Sequence, residues 1–415
     1  MLEGEIIKFY RKKAGLTQEE LGKDICTATH VSRIERGETR YSEEIIQLFS
    51  QRLQIDIKNE IAAVQNIEKK LQKWHNAIIL ERMKDVIIIK EELESIHYIS
   101  ASNYAIYFQL LLARYFILCK SIEKAERIIK RIEKDSPPMS TYEKNLFHHV
   151  RGIYYLVQYT RLEDVNKQIA LQELKKVNIE EYGNKEYYYH LGSAYHWTRS
   201  KVMAYFYGEK AFRYFNKTNN YARAILAESL MLVQLKDSTQ LDFKEIVKRY
   251  ESLIEHSEAL GLLDKRGMIL HNLGLMYFWK QDFKNAHIFY KKSVEEADKQ
   301  SLPYLNRLYN YLDNAEEGKL LLTNELLNEA NEGLALSEKA TNNLYKILFT
   351  LLILRFNEKF DEYYDYMEQT AYPFFKNHHH VTHAIKYAKL LYNYYVETKQ
   401  YEKAVHTADM FINGN

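Results

Sequence analysis

Residues 16–37 constrain the fold most strongly, because their capping and apolar residues are spaced for two short helices joined by a tight turn. Thr17 followed three residues later by Glu20 is a capping box, which marks the start of a helix. This first helix is expected to run to about Ile25, and Thr27 can cap the second one. The spacing therefore predicts a helix-turn-helix.

In a helix-turn-helix, the start of the second helix meets base edges, and flanking helix ends and basic side chains meet phosphates. Gln18, at the positive end of the first helix, is expected to face a phosphate oxygen. The candidate DNA-binding residues are Gln18, Thr27, Ala28, Thr29, His30, Arg33, Arg36 and Arg40. A helical hairpin that only packs against its own domain is the alternative.

Net charge gives this interpretation little support. Residues 1–64 carry ten Lys or Arg against eleven Asp or Glu. Phosphate binding would have to depend on local groups, for example Arg11, Lys12 and Lys13, and dimerisation would double the contacts.

The rest of the chain is expected to be helical as well. Its 415 residues include only 14 Gly and 4 Pro, and 46% are hydrophobic, a composition typical of an all-α protein. The clearest internal repeat has the small and large residues of a tetratricopeptide unit, at Leu270, Leu273, Gly274, Tyr277, Ala286 and Tyr290.

The sequence thus predicts an all-α fold, an N-terminal helix-turn-helix domain followed by a right-handed TPR-like α-solenoid. We expect residues 1–64 to form the DNA-binding domain and residues 65–100 to form a linker helix and a first helix pair. Residues 101–415 are expected to form the repeat domain for peptide binding and dimerisation.

Two segments resemble the phage-repressor (Cro/C1, XRE-type) helix-turn-helix, namely Thr17-Gln18-Glu19-Glu20-Leu21 and Val31-Ser32-Arg33-Ile34-Glu35-Arg36-Gly37. The turn is one residue shorter than usual, and its Ile25-Cys26-Thr27 is similar to the Ile-Cys-Ser variant of the RNPP family, comprising the Rap, NprR, PlcR, PrgX and Rgg proteins. A helix-turn-helix followed by tetratricopeptide-like repeats is the architecture of that family.

The resemblance implies a cytoplasmic quorum-sensing transcription regulator. Such a protein would bind a double-stranded DNA operator as a homodimer, or as a tetramer, and would be controlled allosterically by a short signalling peptide. The alternative within the family is an adaptor that binds and inhibits a response regulator of a phosphorelay, with or without DNA binding. A repressor that responds to no ligand is a third hypothesis.

A groove lined by the first helices of such repeats typically takes an extended peptide. Asparagine side chains can both donate to and accept from a peptide backbone, and family members use them in this way. The candidate peptide-binding residues are Asn272, Asn306, Arg307, Asn310 and Asn343, with Asp313 and Asn314 continuing the polar stripe. Arg307 and Arg223 could meet the peptide's carboxylate, whereas solvated helix residues are the alternative for all of them.

No motif indicates catalysis, since the chain lacks a Gly-rich phosphate loop, a nucleophile elbow and a zinc-binding helix motif. We therefore expect no enzyme activity, no cofactor and no metal. His378, His379, His380 and His383 include an i, i+3 pair, but no cysteine or paired carboxylate motif nearby offers a third ligand. The N-terminus carries acidic residues where a signal peptide needs basic ones, and no apolar run reaches about 18 residues. These features predict a cytoplasmic protein without a membrane partner.

Overall fold

A computed structural model describes residues 2–158, 164–236 and 242–412, and every regular element in these ranges is a helix. The chain divides into two compact units, Met1–Val150 and Arg151–Asn415. The predicted all-α fold is therefore confirmed.

The first unit begins with five helices, which are α1 (Leu2–Lys13), α2 (Gln18–Gly22), α3 (Ala28–Glu35), α4 (Glu43–Leu53) and α5 (Ile57–Gln65). The predicted capping box is present, because Thr17 N donates to Glu20 Oε2 at 2.6 Å and Glu20 N donates to Thr17 Oγ1 at 3.1 Å. Thr27 caps α3 by accepting a hydrogen bond from His30 N at 3.2 Å.

Helix α2 is shorter than predicted, since it ends at Gly22 and not near Ile25. Lys23 has φ −50° and ψ 128°, and Asp24 takes a left-handed conformation with φ 61°. A helix cannot continue through these angles. The turn to α3 therefore begins earlier than the apolar spacing suggests.

The first unit continues with α6 (Ile67–Ile79), α7 (Met83–Ser95), a 3-10 helix (His97–Ala101), α8 (Ala105–Leu118) and α9 (Ile122–Asp135), after which α10 (Thr141–Val157) begins. Residues 65–100, where the sequence suggests a linker helix and a helix pair, hold α6, α7 and the 3-10 helix. Tyr98 of the 3-10 helix donates to Glu5 Oε2 at 3.2 Å, and its ring packs edge-on against Phe9 at 5.3 Å. Helix α1 is thus attached to the repeat helices of its own unit.

In residues 164–236 and 242–412, the second unit has fifteen further helices. They are α11 (Asp164–Lys175), α12 (Ile179–Tyr182), α13 (Tyr187–Trp197), α14 (Lys201–Lys217), α15 (Tyr221–Val233), α16 (Phe243–Ala259), α17 (Leu263–Trp279), α18 (Phe283–Glu295), α19 (Leu302–Glu317), α20 (Thr323–Lys339), α21 (Asn343–Phe356), α22 (Phe360–Tyr366), α23 (Tyr372–Asn377), α24 (Val381–Glu397) and α25 (Tyr401–Ile412). A π-helical turn, Met367–Ala371, connects α22 to α23.

Small residues let the paired helices approach closely, as the repeat pattern predicts. A side chain on Gly274 would place its Cβ 2.8 Å from the Tyr290 ring, so α17 and α18 can pack at this distance only with glycine there. The first helices of successive pairs also contact one another, from α13 to α15 to α17 and from α19 to α21. These first helices therefore form one layer of the second unit.

Within the described ranges, no helix combines the length and hydropathy needed to cross a bilayer.

Candidate functional site

The exposed face of α3 is the candidate DNA-reading surface. Thr29 and Arg33 are exposed one turn apart, and Arg36, at the end of the helix, continues the same stripe. Ala28 and His30 are half-buried beside them, and Arg40 is exposed in the following loop. These positions fit the major-groove contacts expected of a recognition helix.

A buried ion pair holds α1 and α3 together. Arg11 Nε donates to Glu35 Oε1 at 2.5 Å and Arg11 Nη2 donates to Glu35 Oε2 at 3.1 Å, with both side chains almost inaccessible to solvent. Arg11 Nη1 also donates to Leu16 O at 2.7 Å. Arg11 is therefore a structural residue, and its predicted role at a phosphate is wrong because its guanidinium is buried and each of its three nitrogens already donates within the chain.

Gln18 belongs to the same network. Its Nε2 donates to Glu35 Oε2 at 2.8 Å, which turns the amide towards α3. The side chain therefore braces α2 against α3, and it does not lie free at the helix end as the sequence suggests. A phosphate at this end would meet the backbone N–H groups of α2.

Arg36 is engaged by a nearby acid. Its Nε and Nη2 donate to the two carboxylate oxygens of Glu38 at 2.7 and 2.9 Å, and its Nη1 donates to Ser32 Oγ at 3.0 Å. The hydrogen bonds with Arg36 lower the pKa of Glu38, and the same bonds raise the pKa of Arg36. Glu38 thus competes with any phosphate for this guanidinium.

Asn306 and Asn310 lie half-buried on α19, in the layer of first helices. Asn310 Nδ2 donates to Asn306 O at 2.9 Å and to Asn306 Oδ1 at 3.3 Å. These bonds leave Asn306 Nδ2 and Asn310 Oδ1 for another polar group. On α17, Asn272 Nδ2 donates to Ser229 Oγ of α15 at 3.1 Å, and Asn343 is exposed at the start of α21.

Two predicted groove residues are buried structural groups. Arg307 Nη1 donates to Ser293 O at 2.9 Å, and its guanidinium packs against Gly267. Arg223 lies 3.4 Å from Glu186 Oε1, so it meets an acidic group of its own chain. Neither arginine is presented to a peptide carboxylate, because both side chains are covered by neighbouring helices.

The polar stripe of α19 also ends earlier than predicted. Asn314 is fully buried and donates to Phe283 O at 3.1 Å. Asp313 lies between two cations, with Arg355 Nη2 at 2.9 Å from Oδ1 and Lys386 Nζ at 2.9 Å from Oδ2. The polar stripe is therefore accessible to solvent at Asn306 and Asn310, and it is covered one turn later, at Asp313 and Asn314.

The cluster formed by Asp313, Arg355, Lys386 and Glu316 joins α19, α21 and α24. Burial alone would raise the pKa of Asp313, but Lys386 and Arg355 together lower it below its usual value. Burial raises the pKa of Glu316 although Arg355 contacts it. The cluster is therefore an internal electrostatic link between α19, α21 and α24.

The histidines near residue 380 pack against aromatic rings. His378 stacks on Phe374 at 4.3 Å, and His383 lies 5.4 Å from the Phe375 ring. Burial lowers the pKa of His383 to about 3. Their environment is that of aromatic packing.

Comparisons with known proteins agree with this architecture. Residues 7–58 match a helix-turn-helix family model. The chain is 21% identical over 401 residues to a transcriptional activator, NprA, of Geobacillus stearothermophilus, covering 92% of this chain and 95% of the relative. The predicted resemblance to the RNPP family is confirmed.

Two further comparisons cover the repeats as well. The chain is 22% identical over 298 residues to response regulator aspartate phosphatase I of Bacillus subtilis (strain 168), covering 69% of this chain and 75% of the relative. Its fold is similar to NprR in complex with its cognate peptide NprX, with a TM-score of 0.69, 21% identity, and coverage of 84% of this chain and 97% of that one.

The sequence did not indicate three groups at these sites. Glu35, the centre of the α1–α2–α3 network, pairs with an arginine 24 positions away, which no local pattern indicates. The cluster around Asp313 spans 73 residues. Glu38 could have been found, since an acid two residues after Arg36 in a polar loop can fold back onto it.

One half-buried histidine beside the candidate groove makes stability sensitive to acid. His271 lies against the Tyr290 ring, and burial, followed by the charge of Arg307, lowers its pKa to about 3 from 6.5. The unfolded chain therefore takes up the proton first, so the contribution of neutral His271 is complete above pH 6.5 and is lost as the pH falls towards 3. We expect protonation linked to His271 to lower the unfolding free energy by about 2 kcal/mol between pH 7 and pH 5.

His271→Gln should remove this part of the acid sensitivity, and urea unfolding at pH 7, 6 and 5 measures it. His256→Gln, which replaces an exposed histidine of the same unit, is the matched control. Equal pH dependence in wild type and His271→Gln would contradict the assignment.

Proposed function

We propose that this chain is a cytoplasmic transcription regulator that binds operator DNA as a dimer through α3 and is controlled by a short signalling peptide in the groove of its repeats. No catalytic step is needed for this role. The observation that carries the proposal is the combination, in one chain, of an exposed recognition stripe on α3 and an open asparagine pair on α19.

The DNA-binding half of the proposal is supported by the shape of α3. Thr29 and Arg33 are the exposed groups on the front of the helix, where a hydroxyl and a guanidinium can read base edges. The helix is supported from behind by Arg11, Glu35 and Gln18. The matched helix-turn-helix family and the activator NprA point to the same role.

The peptide half is supported by the open amides of Asn306 and Asn310. An extended peptide presents an N–H and a C=O at each residue, and an asparagine side chain can pair with both. The structural neighbour NprR was captured with its own cognate peptide, NprX. We propose that Asn272 and Asn343 lie along the same groove, whereas Arg307 shapes its wall.

Dimerisation and allostery complete the proposal. Two α3 helices of a dimer would read half-sites about 34 Å, or one helical turn of DNA, apart. A bound peptide would change the pitch of the repeats or the packing of the oligomer, and so the spacing of the two reading helices. Tetramers are the other assembly consistent with this scheme.

The experiment uses the full chain and a pool of random duplexes. We expect the protein to enrich a sequence with two related half-sites, and to bind by calorimetry a synthetic heptapeptide matching the C-terminus of a small secreted protein encoded beside its own gene. Asn310→Ala should weaken peptide binding and leave DNA binding unchanged. Failure to enrich any sequence would overturn the DNA-binding half.

Glu38→Gln is expected to tighten DNA binding. The substitution frees Arg36 from its exposed, solvent-screened ion pair with Glu38, so the affinity should rise about two- to fivefold. The slope of log K against log salt should steepen by about 0.9 if Arg36 then meets one more phosphate. Fluorescence anisotropy of a labelled operator at several salt concentrations measures both quantities.

The matched control is Glu362→Gln, which frees Lys359 from a similarly exposed pair outside the helix-turn-helix. It changes the net charge by the same amount and should leave the affinity unchanged. Equal tightening by the two variants would show that net charge, and not Arg36, is responsible.

A second candidate function has one specific observation in its favour. The match to response regulator aspartate phosphatase I covers 69% of this chain, so the repeats could instead dock a response regulator and inhibit it. Residues 7–58, which match the helix-turn-helix family, make DNA binding the preferred proposal. Co-purification of a phosphorelay response regulator with the full chain, together with no DNA enrichment, would reverse the order.

A further inference from the structure

Arg52, in the last turn of α4, reaches the end of α2. Its Nη1 donates to Leu21 O at 2.9 Å and to Glu20 O at 3.2 Å, and it also donates to Lys23 O. All three acceptors are backbone carbonyls at the end of α2 or in the turn that follows. The three lie 29 to 32 positions from Arg52 in the sequence, so the contact is a tertiary one.

These carbonyls need an external partner. The last carbonyls of any helix have no N–H of the same helix to accept from. At the end of α2, Gly22 O accepts from Ile25 N at 2.9 Å and from Cys26 N at 2.8 Å, which serves that carbonyl alone. Arg52 supplies donors to its neighbours, and its positive charge lies at the negative end of the helix, where it is favourable.

The end of α2 also determines where α3 begins. Helix α2 has only five residues, too few to be stable without tertiary support. Between its last residue and the Thr27 cap of α3, the chain turns through the extended Lys23 and the left-handed Asp24. Any rotation or fraying of α2 would therefore be passed on to the direction of α3.

We propose that Arg52 is a positioning residue for DNA recognition: it fixes the end of α2 and thereby the angle at which α3 enters the major groove. The inference rests on the proposed DNA binding and adds to it a residue outside α3. The competing role for an arginine in this module is a direct contact with a DNA phosphate.

Salt dependence separates the two roles. Loss of one phosphate contact reduces the slope of log K against log salt by about 0.9 and weakens binding to all sequences alike. Loss of a positioning residue misdirects α3, so binding to the selected sequence weakens and binding to unrelated DNA does not.

The test compares Arg52→Met, Arg52→Lys and wild-type full chain on two duplexes. One is the duplex most enriched by wild type from a random pool, and the other is its scrambled version. We expect Arg52→Met to lower affinity for the enriched duplex about tenfold, to leave the scrambled duplex unchanged, and to keep the salt slope. Arg52→Lys, whose ammonium can still cap the carbonyls, should recover part of the loss.

Lys58→Met is the matched control, because Lys58 is an exposed cation of the same helical module. It should shift both duplexes equally and slightly. If Arg52→Met weakens binding to both duplexes equally and makes the slope of log K against log salt shallower, the proposal is overturned in favour of a phosphate contact. If Arg52→Met does not fold, Arg52→Lys provides the test, with amide chemical shifts showing whether the carbonyl contacts are lost. A folded Arg52→Lys that has lost these contacts and still prefers the enriched duplex to the scrambled one as strongly as wild type does would also overturn the proposal. Enrichment of no sequence by wild type would overturn the proposed function itself.

Discussion

Glu35→Gln is expected to lower the unfolding free energy of the helix-turn-helix by about 3 kcal/mol, because it leaves the buried Arg11 guanidinium without a counter-charge. The carboxylate accepts from Arg11 twice and from Gln18 once, and a neutral amide can replace only part of this set. Urea unfolding of the full chain, followed by hydrogen exchange of α1 to α3, measures the effect.

Two further variants separate the ion pair from general effects of charge. Glu43→Gln removes the partner of Lys58 in an exposed, solvent-screened pair and should lower the unfolding free energy far less than Glu35→Gln does. Arg11→Met combined with Glu35→Met removes both charges and should recover most of the lost stability. A loss below 1 kcal/mol in Glu35→Gln would show that the pair is not sealed from water.

Asp313→Asn is expected to destabilise the repeat unit by about 3 kcal/mol at pH 7, because Arg355 and Lys386 then face each other without the carboxylate between them. The two cations lower the pKa of Asp313 in the folded chain. Its contribution is therefore complete above the unfolded pKa of about 3.9 and is lost as the pH falls below that value. Wild type and Asp313→Asn should converge in acid.

Glu338→Gln provides the control in the same unit, since Glu338 pairs with Lys346 on the surface. It should change the unfolding free energy by less than about 1 kcal/mol at any pH. A constant difference between wild type and Asp313→Asn down to pH 3 would contradict the proposed role of the carboxylate charge.

The parts of the fold that depend on neighbours in sequence could be predicted. Thr17 and Glu20 are three residues apart, so their capping box depends only on neighbours in the sequence. Thr27 caps α3 for the same local reason. Gly274 meets Tyr290 because the repeat spacing itself places the two together. The helix starts and the close packing of paired helices could therefore be predicted from the sequence.

The accessibility of the site residues could not be predicted in the same way. Asn306, Asn310 and Asp313 share one side of α19, yet only the last is covered, since α21 and α24 cross there with Arg355 and Lys386. The sequence alone predicts that Arg11 is an exposed cation, because only the folded chain places Glu35 beside it. Such pairings depend on helices far apart in the chain, which periodicity does not encode.

A peptide held by the repeats is proposed to alter DNA binding by α3. The most direct test measures operator affinity of the full chain with and without a saturating cognate heptapeptide, and peptide affinity with and without operator. Linkage requires both affinities to change by the same factor, and we expect a change of about fivefold or more that Asn306→Ala combined with Asn310→Ala abolishes. An operator affinity that is identical with and without bound peptide would contradict the account.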